Sequence, residues 1–210
     1  MKKPALDFGL TLKKLKKKYP DAHCALHFKN PFELLIATIL SAQCTDERVN
    51  IVTEVLFTKY KKPSQLAVAD VRDIEKIIYS AGFYKNKAKN IKLCCQILAQ
   101  KYNDIIPQTL DELIELPGVG RKTANVVLGN AFGIASGVVV DTHVGRLSNR
   151  FGWVNKLTDA VKIESKLNKL CPQTEWVMLS HYLIAHGRSL CKSQNPKCEA
   201  CFLESDCPKR

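Results

Sequence analysis

The sequence predicts an all-α protein, and three observations carry that expectation. Apolar residues recur at helical spacing along nearly the whole chain, and the segments they form are short, with Gly or Pro at their ends. Only Val138-Val139-Val140 reads as a strand, and a lone strand has nothing to pair with. No segment is of low complexity, and no repeat recurs at a solenoid period.

In chain order, Leu6, Leu10, Leu12 and Leu15 make one face of a first helix, with Lys13, Lys14, Lys16, Lys17 and Lys18 on the others and Pro20 as its stop. That lysine face is either solvated or in contact with phosphate. Pro31 suits the first turn of a helix bearing Leu34, Leu35, Ile36, Ile39 and Leu40, apolar nearly all round and therefore buried. Asp46 through Tyr60 repeats the pattern with Val49, Val52, Val55 and Leu56. Asp70 is placed to cap a helix containing Val71, Ile74, Ile77 and Ile78, which ends at Gly82. Asn86 to Tyr102 turns Ile91, Leu93, Cys94, Ile97 and Leu98 inward. Further helices are expected from Thr109 to Leu116, from near Gly120, from Thr142 to Phe151, from Thr158 to Leu170 and from Trp176 to Leu190.

Composition narrows the partners. The 210 residues suffice for one large or two small cores, and 32 Lys plus Arg against 20 Asp plus Glu leave a net charge of +12. Such a surplus points to a polyanion, nucleic acid or an acidic membrane surface, with nucleic acid favoured over a merely basic protein. Met1-Lys2-Lys3 leads into no long apolar run, and no stretch approaches the roughly 20 apolar residues of a membrane helix. A soluble, intracellular (cytoplasmic) protein is therefore expected. Of the nine cysteines, Cys24, Cys44, Cys94, Cys95 and Cys171 lie in or beside apolar stretches and read as reduced structural thiols.

The other four form a compact run, Cys191-x6-Cys198-x2-Cys201-x5-Cys207. Thiolates this close in sequence can converge on one inorganic centre, since zinc and iron–sulfur clusters both take soft sulfur ligands. A disulfide pair or free thiols is the weaker reading without a secretion signal. The single C-x2-C with wide gaps on both sides differs from the two separated pairs of many zinc sites, and spacing leaves both metals open.

Leu116-Pro117-Gly118-Val119-Gly120 falls between two expected helices. Two glycines flanking one apolar residue allow a sharp turn whose N–H groups, beside a helix N-terminus, suit a phosphate oxygen, while Val119 plugs back between the helices. The string resembles the hairpin of helix–hairpin–helix DNA-binding proteins; its contacts would hold the backbone without reading sequence. An ordinary helix–helix turn is the plainer alternative. Arg121 and Lys122 then stand in a first helical turn, where the dipole disfavours cations. A broken local rule often marks a working site, and a neutral amine there is a nucleophile toward a sugar carbon; phosphate neutralisation is the other role open to Lys122. Asp141 follows the valine run and precedes Thr142-His143, placed as an N-cap and also able to act as a base or to stabilise an oxocarbenium-like sugar. His143 is given no chemistry, and His181 and His186 are read as structural.

Hairpin, Lys122, Val140-Asp141-Thr142-His143 and the four cysteines occur in this order across about ninety residues, and together they resemble the endonuclease III family of DNA glycosylases with abasic-site lyase activity. Ser41-Ala42-Gln43-Cys44-Thr45-Asp46 and Ala81-Gly82-Phe83-Tyr84-Lys85-Asn86-Lys87-Ala88 are similar to two further blocks of that family, so the likeness runs from about Pro31 to Cys207. The resemblance implies a six-helix barrel over residues 25–136 bearing the hairpin, and a second domain of residues 1–24 plus 137–210 holding a [4Fe–4S] cluster on Cys191, Cys198, Cys201 and Cys207, with the active site in the groove between them. It implies Lys122 as the Schiff-base nucleophile, aided by Asp141. DNA contacts would come from Gln43, Phe83, Gly118, Val119, Gly120, Arg121, Lys192 and Lys197. Gln43 would face the orphaned base and Phe83, where the family often has leucine, would act as a wedge. The substrate implied is double-stranded DNA with oxidised or saturated pyrimidines or abasic sites, met by a monomer. Adenine DNA glycosylases share the cysteines and the aspartate but typically lack a lysine at the place of Lys122. A non-catalytic DNA-binding module with zinc is the reading from another class.

Overall fold

The computed structural model describes residues 3–208, and among these it contains eleven α-helices, three short 3-10 turns and no strand. The chain divides into two compact units, Cys24–Ser136 and a second made from the chain up to His23 together with the chain from Gly137 onward. Among the described residues no helix is long and apolar enough to cross a membrane.

The continuous unit holds α2 (Pro31–Leu40), α3 (Asp46–Lys59), α4 (Pro63–Val68), α5 (Val71–Ile78), α6 (Tyr84–Tyr102), α7 (Leu110–Ile114) and α8 (Arg121–Phe132). Helix α2 is its centre. Phe32 through Leu40 are all buried, Glu33 and Thr38 among them, and each leucine or isoleucine removed from water there contributes about 1.5–3 kcal/mol. Pro31 occupies the first turn, Asn30 Oδ1 accepts from the Glu33 N–H, and Glu33 returns an oxygen to the Lys29 N–H. Helix α7 opens with Thr109 accepting from the Glu112 N–H, and α5 with Asp70 accepting from the Arg72 N–H. Leu98, Ile91, Cys94 and Cys95 of α6 complete the core against Leu66, Ile74 and Leu128.

Helix α4 escapes the sequence pattern because its six residues are too few to display a period; Pro63 sets its first turn. Helix α6 begins at Tyr84, two residues earlier than the polar stretch suggests, and α7 ends at Ile114 rather than Leu116.

Cys94 and Cys95 are fully buried; burial pushes the Cys94 thiol up to about 12, and burial together with the neighbouring Cys94 and Asp104 raises Cys95 as well. A thiol so far above ambient pH offers almost no thiolate, the reactive form. Alkylation by iodoacetamide at pH 8 is expected to leave both unmodified in the native protein and to label both in denaturant, as read by peptide mass spectrometry. Labelling of either at native-state rates would contradict the packing.

The discontinuous unit contains α1 (Phe8–Lys18), α9 (Thr142–Arg150), α10 (Ala160–Leu170) and α11 (Trp176–Ser189). Leu12 and Leu15 of α1 bury against a core that includes Leu147, Phe151, Leu167, Leu179 and Leu183. The N-terminal segment is tied in by backbone as well: the Leu6 N–H donates to the Phe151 carbonyl at 2.9 Å, and the Trp153 indole N–H to the Leu6 carbonyl at 3.0 Å. The valine run forms no strand. Val138 and Val139 are buried, and the Val138 N–H is satisfied by Asn168 Oδ1 at 3.0 Å.

Candidate nucleic-acid interface and cysteine centre

In the continuous unit, the residues after α7 close the turn that the glycine spacing predicts. The Val119 N–H donates to the Leu116 carbonyl at 3.0 Å, and both side chains are buried in the core, so the turn is plugged from within. Gly118 sits at φ +79°, and a Cβ there would lie 3.1 Å from Asn90 Cβ of α6. Left-handed backbone costs a residue with a side chain about 1–2 kcal/mol, before that close contact is added. Gly118→Ala is therefore expected to lower stability by about 2 kcal/mol; an unchanged thermal melting curve would contradict the strained turn.

Gly120 is the N-cap of α8 and, lacking a side chain, makes no side-chain cap hydrogen bond. No acidic residue stands in that first turn, while Arg121 and Lys122 are both there and both exposed. The N-terminus of α8 is thus doubly positive, from its own dipole and from two cations, and is a place for an anion.

Gln43 and Phe83 lie in two loops of the same unit, and each is exposed and held in left-handed backbone, at φ 52° and φ 47°. Gln43 stands between the end of α2 and Thr45, the N-cap of α3; Phe83 is the residue from which α6 starts. Non-glycine residues in this region are strained by about 1–3 kcal/mol and gather at functional sites. Tyr79 is exposed like Phe83, and its ring lies 4.8 Å from that of Tyr84, so aromatic surface flanks the Phe83 tip. Local sequence patterns give these tyrosines no role, nor any to the buried Lys87.

In the discontinuous unit, Asp141 is the N-cap of α9, with Oδ1 accepting from the Val144 N–H at 2.8 Å. One carboxylate oxygen is committed to the cap, which fixes the other. His143 Nδ1 faces Arg146 Nη2 at 3.2 Å; burial lowers the ring's pKa against the opposing pull of Asp141, and the Arg146 and Arg188 charges add to the lowering.

Cys191, Cys198, Cys201 and Cys207 all line one cavity of ≈ 240 Å³. Around it stand Arg150, Phe151, His186 and Leu203. Arg150 Nη1 donates to Cys191 Sγ at 3.3 Å and to the Lys192 carbonyl at 2.7 Å, and Nη2 to the Ser193 carbonyl at 2.9 Å. His186 is wholly buried and pushed down to about 4 by that burial; Nδ1 meets the Tyr19 hydroxyl at 2.9 Å and Nε2 lies 3.7 Å from Cys201 Sγ. In the sequence His186 reads as a structural histidine, and nothing local distinguishes it from one. Arg150 likewise shows its role only once α9 and the cysteine loop are packed.

Four soft thiolates lining one cavity have the chemistry to hold an iron–sulfur cluster, and equally a zinc ion. Lys192 and Lys197 are exposed in the loop between the first two cysteines, where the Lys197 N–H donates to the Leu190 carbonyl at 2.9 Å.

Residues 36–173 match the HhH-GPD superfamily of base excision DNA repair proteins. An endonuclease III of Synechocystis sp. is 51% identical over 207 residues, covering 99% of this chain and 93% of that relative. The Bacillus subtilis endonuclease III is 44% identical over 196 residues, 93% of this chain and 89% of the relative. Among solved structures, a trapped covalent intermediate of endonuclease III with DNA, an estranged-adenine complex, superposes with a TM-score of 0.91 at 46% identity, covering 96% of this chain and 94% of that one.

Proposed function

Because the chain belongs to the endonuclease III family, within the HhH-GPD superfamily of base excision DNA repair proteins, its activity is that of a DNA glycosylase with abasic-site lyase chemistry, and we propose Lys122 as the amine that carries it. The observation that supports this assignment is the hairpin itself. It ends in an uncapped helix start that suits a phosphate, with an exposed lysine one residue into the helix.

A base within a duplex is out of reach, so the nucleotide must first leave the stack, at a cost of a few kcal/mol that is smallest for damaged bases. Gln43 and Phe83 are the proposed residues that fill the gap: the amide offers hydrogen bonds to the orphaned partner base, and the ring is an apolar wedge. Gly118, Val119, Gly120 and Arg121, with Lys192 and Lys197, hold the phosphate backbone. The Lys122 amine attacks C1′, the C1′–N bond to the base breaks, and the base leaves with a proton; the C1′–O4′ bond then opens as O4′ takes the proton shed by the lysine nitrogen, leaving a C1′=N double bond. The resulting Schiff base acidifies the 2′ hydrogen; its removal breaks the 3′ C–O bond and frees a 5′-phosphate end. Asp141, with one oxygen free of its cap bond, is the proposed general base and a stabiliser of cationic sugar character.

Cys191, Cys198, Cys201 and Cys207 are the proposed ligands of a [4Fe–4S] cluster, which supplies a covalent clip for the basic loop that contains Lys192 and Lys197. Oxidised or saturated pyrimidines are the proposed lesions, encountered by an intracellular monomer on double-stranded DNA.

The test is incubation of the purified protein with duplexes carrying a single thymine glycol, a single abasic site, or an adenine mispair. Release of the oxidised base, cleavage at both sites and a borohydride-trapped protein–DNA adduct are expected. Removal of adenine without strand cleavage would move the chain to the adenine-specific class, and binding without either reaction would leave only a DNA clamp.

A further inference from the structure

Lys87 lies in the first turns of α6 and is buried, yet among the described residues no carboxylate pairs with it. Burial accordingly lowers its pKa. Its ammonium instead donates to two backbone carbonyls, Leu40 and Ala81, each at 2.8 Å. Leu40 is the last residue of α2, and Ala81 the last of a 3-10 turn, so both oxygens sit at helix ends where partial negative charge gathers. The carbonyls come from places in the sequence 47 and 6 residues away from Lys87.

The residues just beyond each carbonyl give the contact its meaning. Three residues past Leu40 is Gln43; two residues past Ala81 is Phe83. Both are exposed and both are in left-handed backbone. Between Ala81 and Phe83 stands Gly82 at φ 68° and ψ 151°, a conformation essentially reserved for glycine. Two strained loop tips hold their shape only if their bases are over-determined. One buried cation joins the two bases, where an apolar side chain of the same length would fill the space without the desolvation cost.

We propose that Lys87 is a positioning residue that locks the Gln43 and Phe83 tips into one rigid element, so that both enter the duplex together when the damaged nucleotide is extruded. This rests on the reading that these two residues enter the DNA. Lys87 itself touches no substrate. Its effect is on the geometry of the tips, where a displacement of about 1 Å can cost as much as 10²-fold in rate.

The test uses the full chain with its cofactor loaded. Lys87→Met keeps the stem and removes the donors. Duplex opening is read from 2-aminopurine fluorescence opposite a tetrahydrofuran abasic-site analogue at saturating protein. Binding to undamaged duplex is measured alongside. The expected result is about a tenfold lower opening amplitude or excision rate at saturation, with undamaged-duplex affinity within about twofold. In a Gln43→Ala/Phe83→Ala background the same substitution is expected to change opening by less than about twofold, because nothing remains to position. An equal loss in both backgrounds, or full opening by Lys87→Met, overturns the proposal and leaves Lys87 a structural group only. If the Gln43→Ala/Phe83→Ala protein opens the duplex as the parent does, the insertion reading itself fails and takes the inference with it. Should Lys87→Met not fold, Lys87→Gln, whose shorter side chain cannot bridge both carbonyls, replaces it and the same two-background comparison decides.

Discussion

Lys122→Gln abolishes the borohydride-trapped adduct and lowers strand cleavage at an abasic site by about 10³-fold or more, equivalent to about 4 kcal/mol of transition-state stabilisation. The reason lies in the amine. A glutamine of similar reach has no lone pair free to attack C1′, since its nitrogen is conjugated to a carbonyl. Little else should change. Lys122 is exposed in the first turn of α8 and takes no part in the core, so stability is expected to stay within about 0.5 kcal/mol. The loss of one cation at a helix N-terminus removes a charge that opposes the dipole and also a phosphate contact, two effects of opposite sign on folding and binding. Affinity for undamaged duplex should fall only severalfold, with the salt slope smaller by about one. A variant that still traps at the parental level would show that another amine performs the chemistry.

The second large effect is expected from Cys201→Ser. Residues 192–200 are all exposed, and from there to the last described residue only Leu203 is buried, so apolar burial supplies little to order the loop. Its shape depends on the Arg150 hydrogen bonds to the Lys192 and Ser193 carbonyls and on whatever the four thiolates hold. Serine is a poor ligand for iron, and a cluster lacking one of four soft ligands is labile. Purified Cys201→Ser is expected to lose most of its iron and its brown colour. The lost ligation should cost on the order of 3 kcal/mol, which corresponds to about 6–12 °C in Tm for a chain of this size. Iron analysis and calorimetry check both. Full iron content with unchanged Tm would refute the ligand assignment, and a colourless parent protein containing zinc would refute the cluster. Binding of lesion DNA should weaken through Lys192 and Lys197, which the loop carries, while the hairpin contacts persist.

Much of the site is legible in the sequence because its parts are local. A helix cap is a contact between residues three apart, as at Asp141 and Val144, so an Asp ahead of an apolar-periodic run announces it. The Gly118-Val119-Gly120 turn is likewise specified by glycine spacing, and the cysteine run by ligand chemistry. Helices α2 and α6 are readable from apolar periodicity, whereas α4, with only six residues, is not.

By itself, then, the sequence determined most of the helical segments, α4 excepted, and roughly where they start and stop, and it offered side chains with the chemistry a base-excision site needs. Tertiary structure alone decided that Lys87 is buried on two carbonyls, that Gln43 and Phe83 are held in left-handed backbone, and that Arg150 and His186 wall the cysteine cavity. The physical reason is range. Propensity, capping and turn chemistry act over a few residues and leave a readable local pattern. A buried cation or a shared cavity wall joins groups dozens of residues apart, and its energy exists only once the chain has packed.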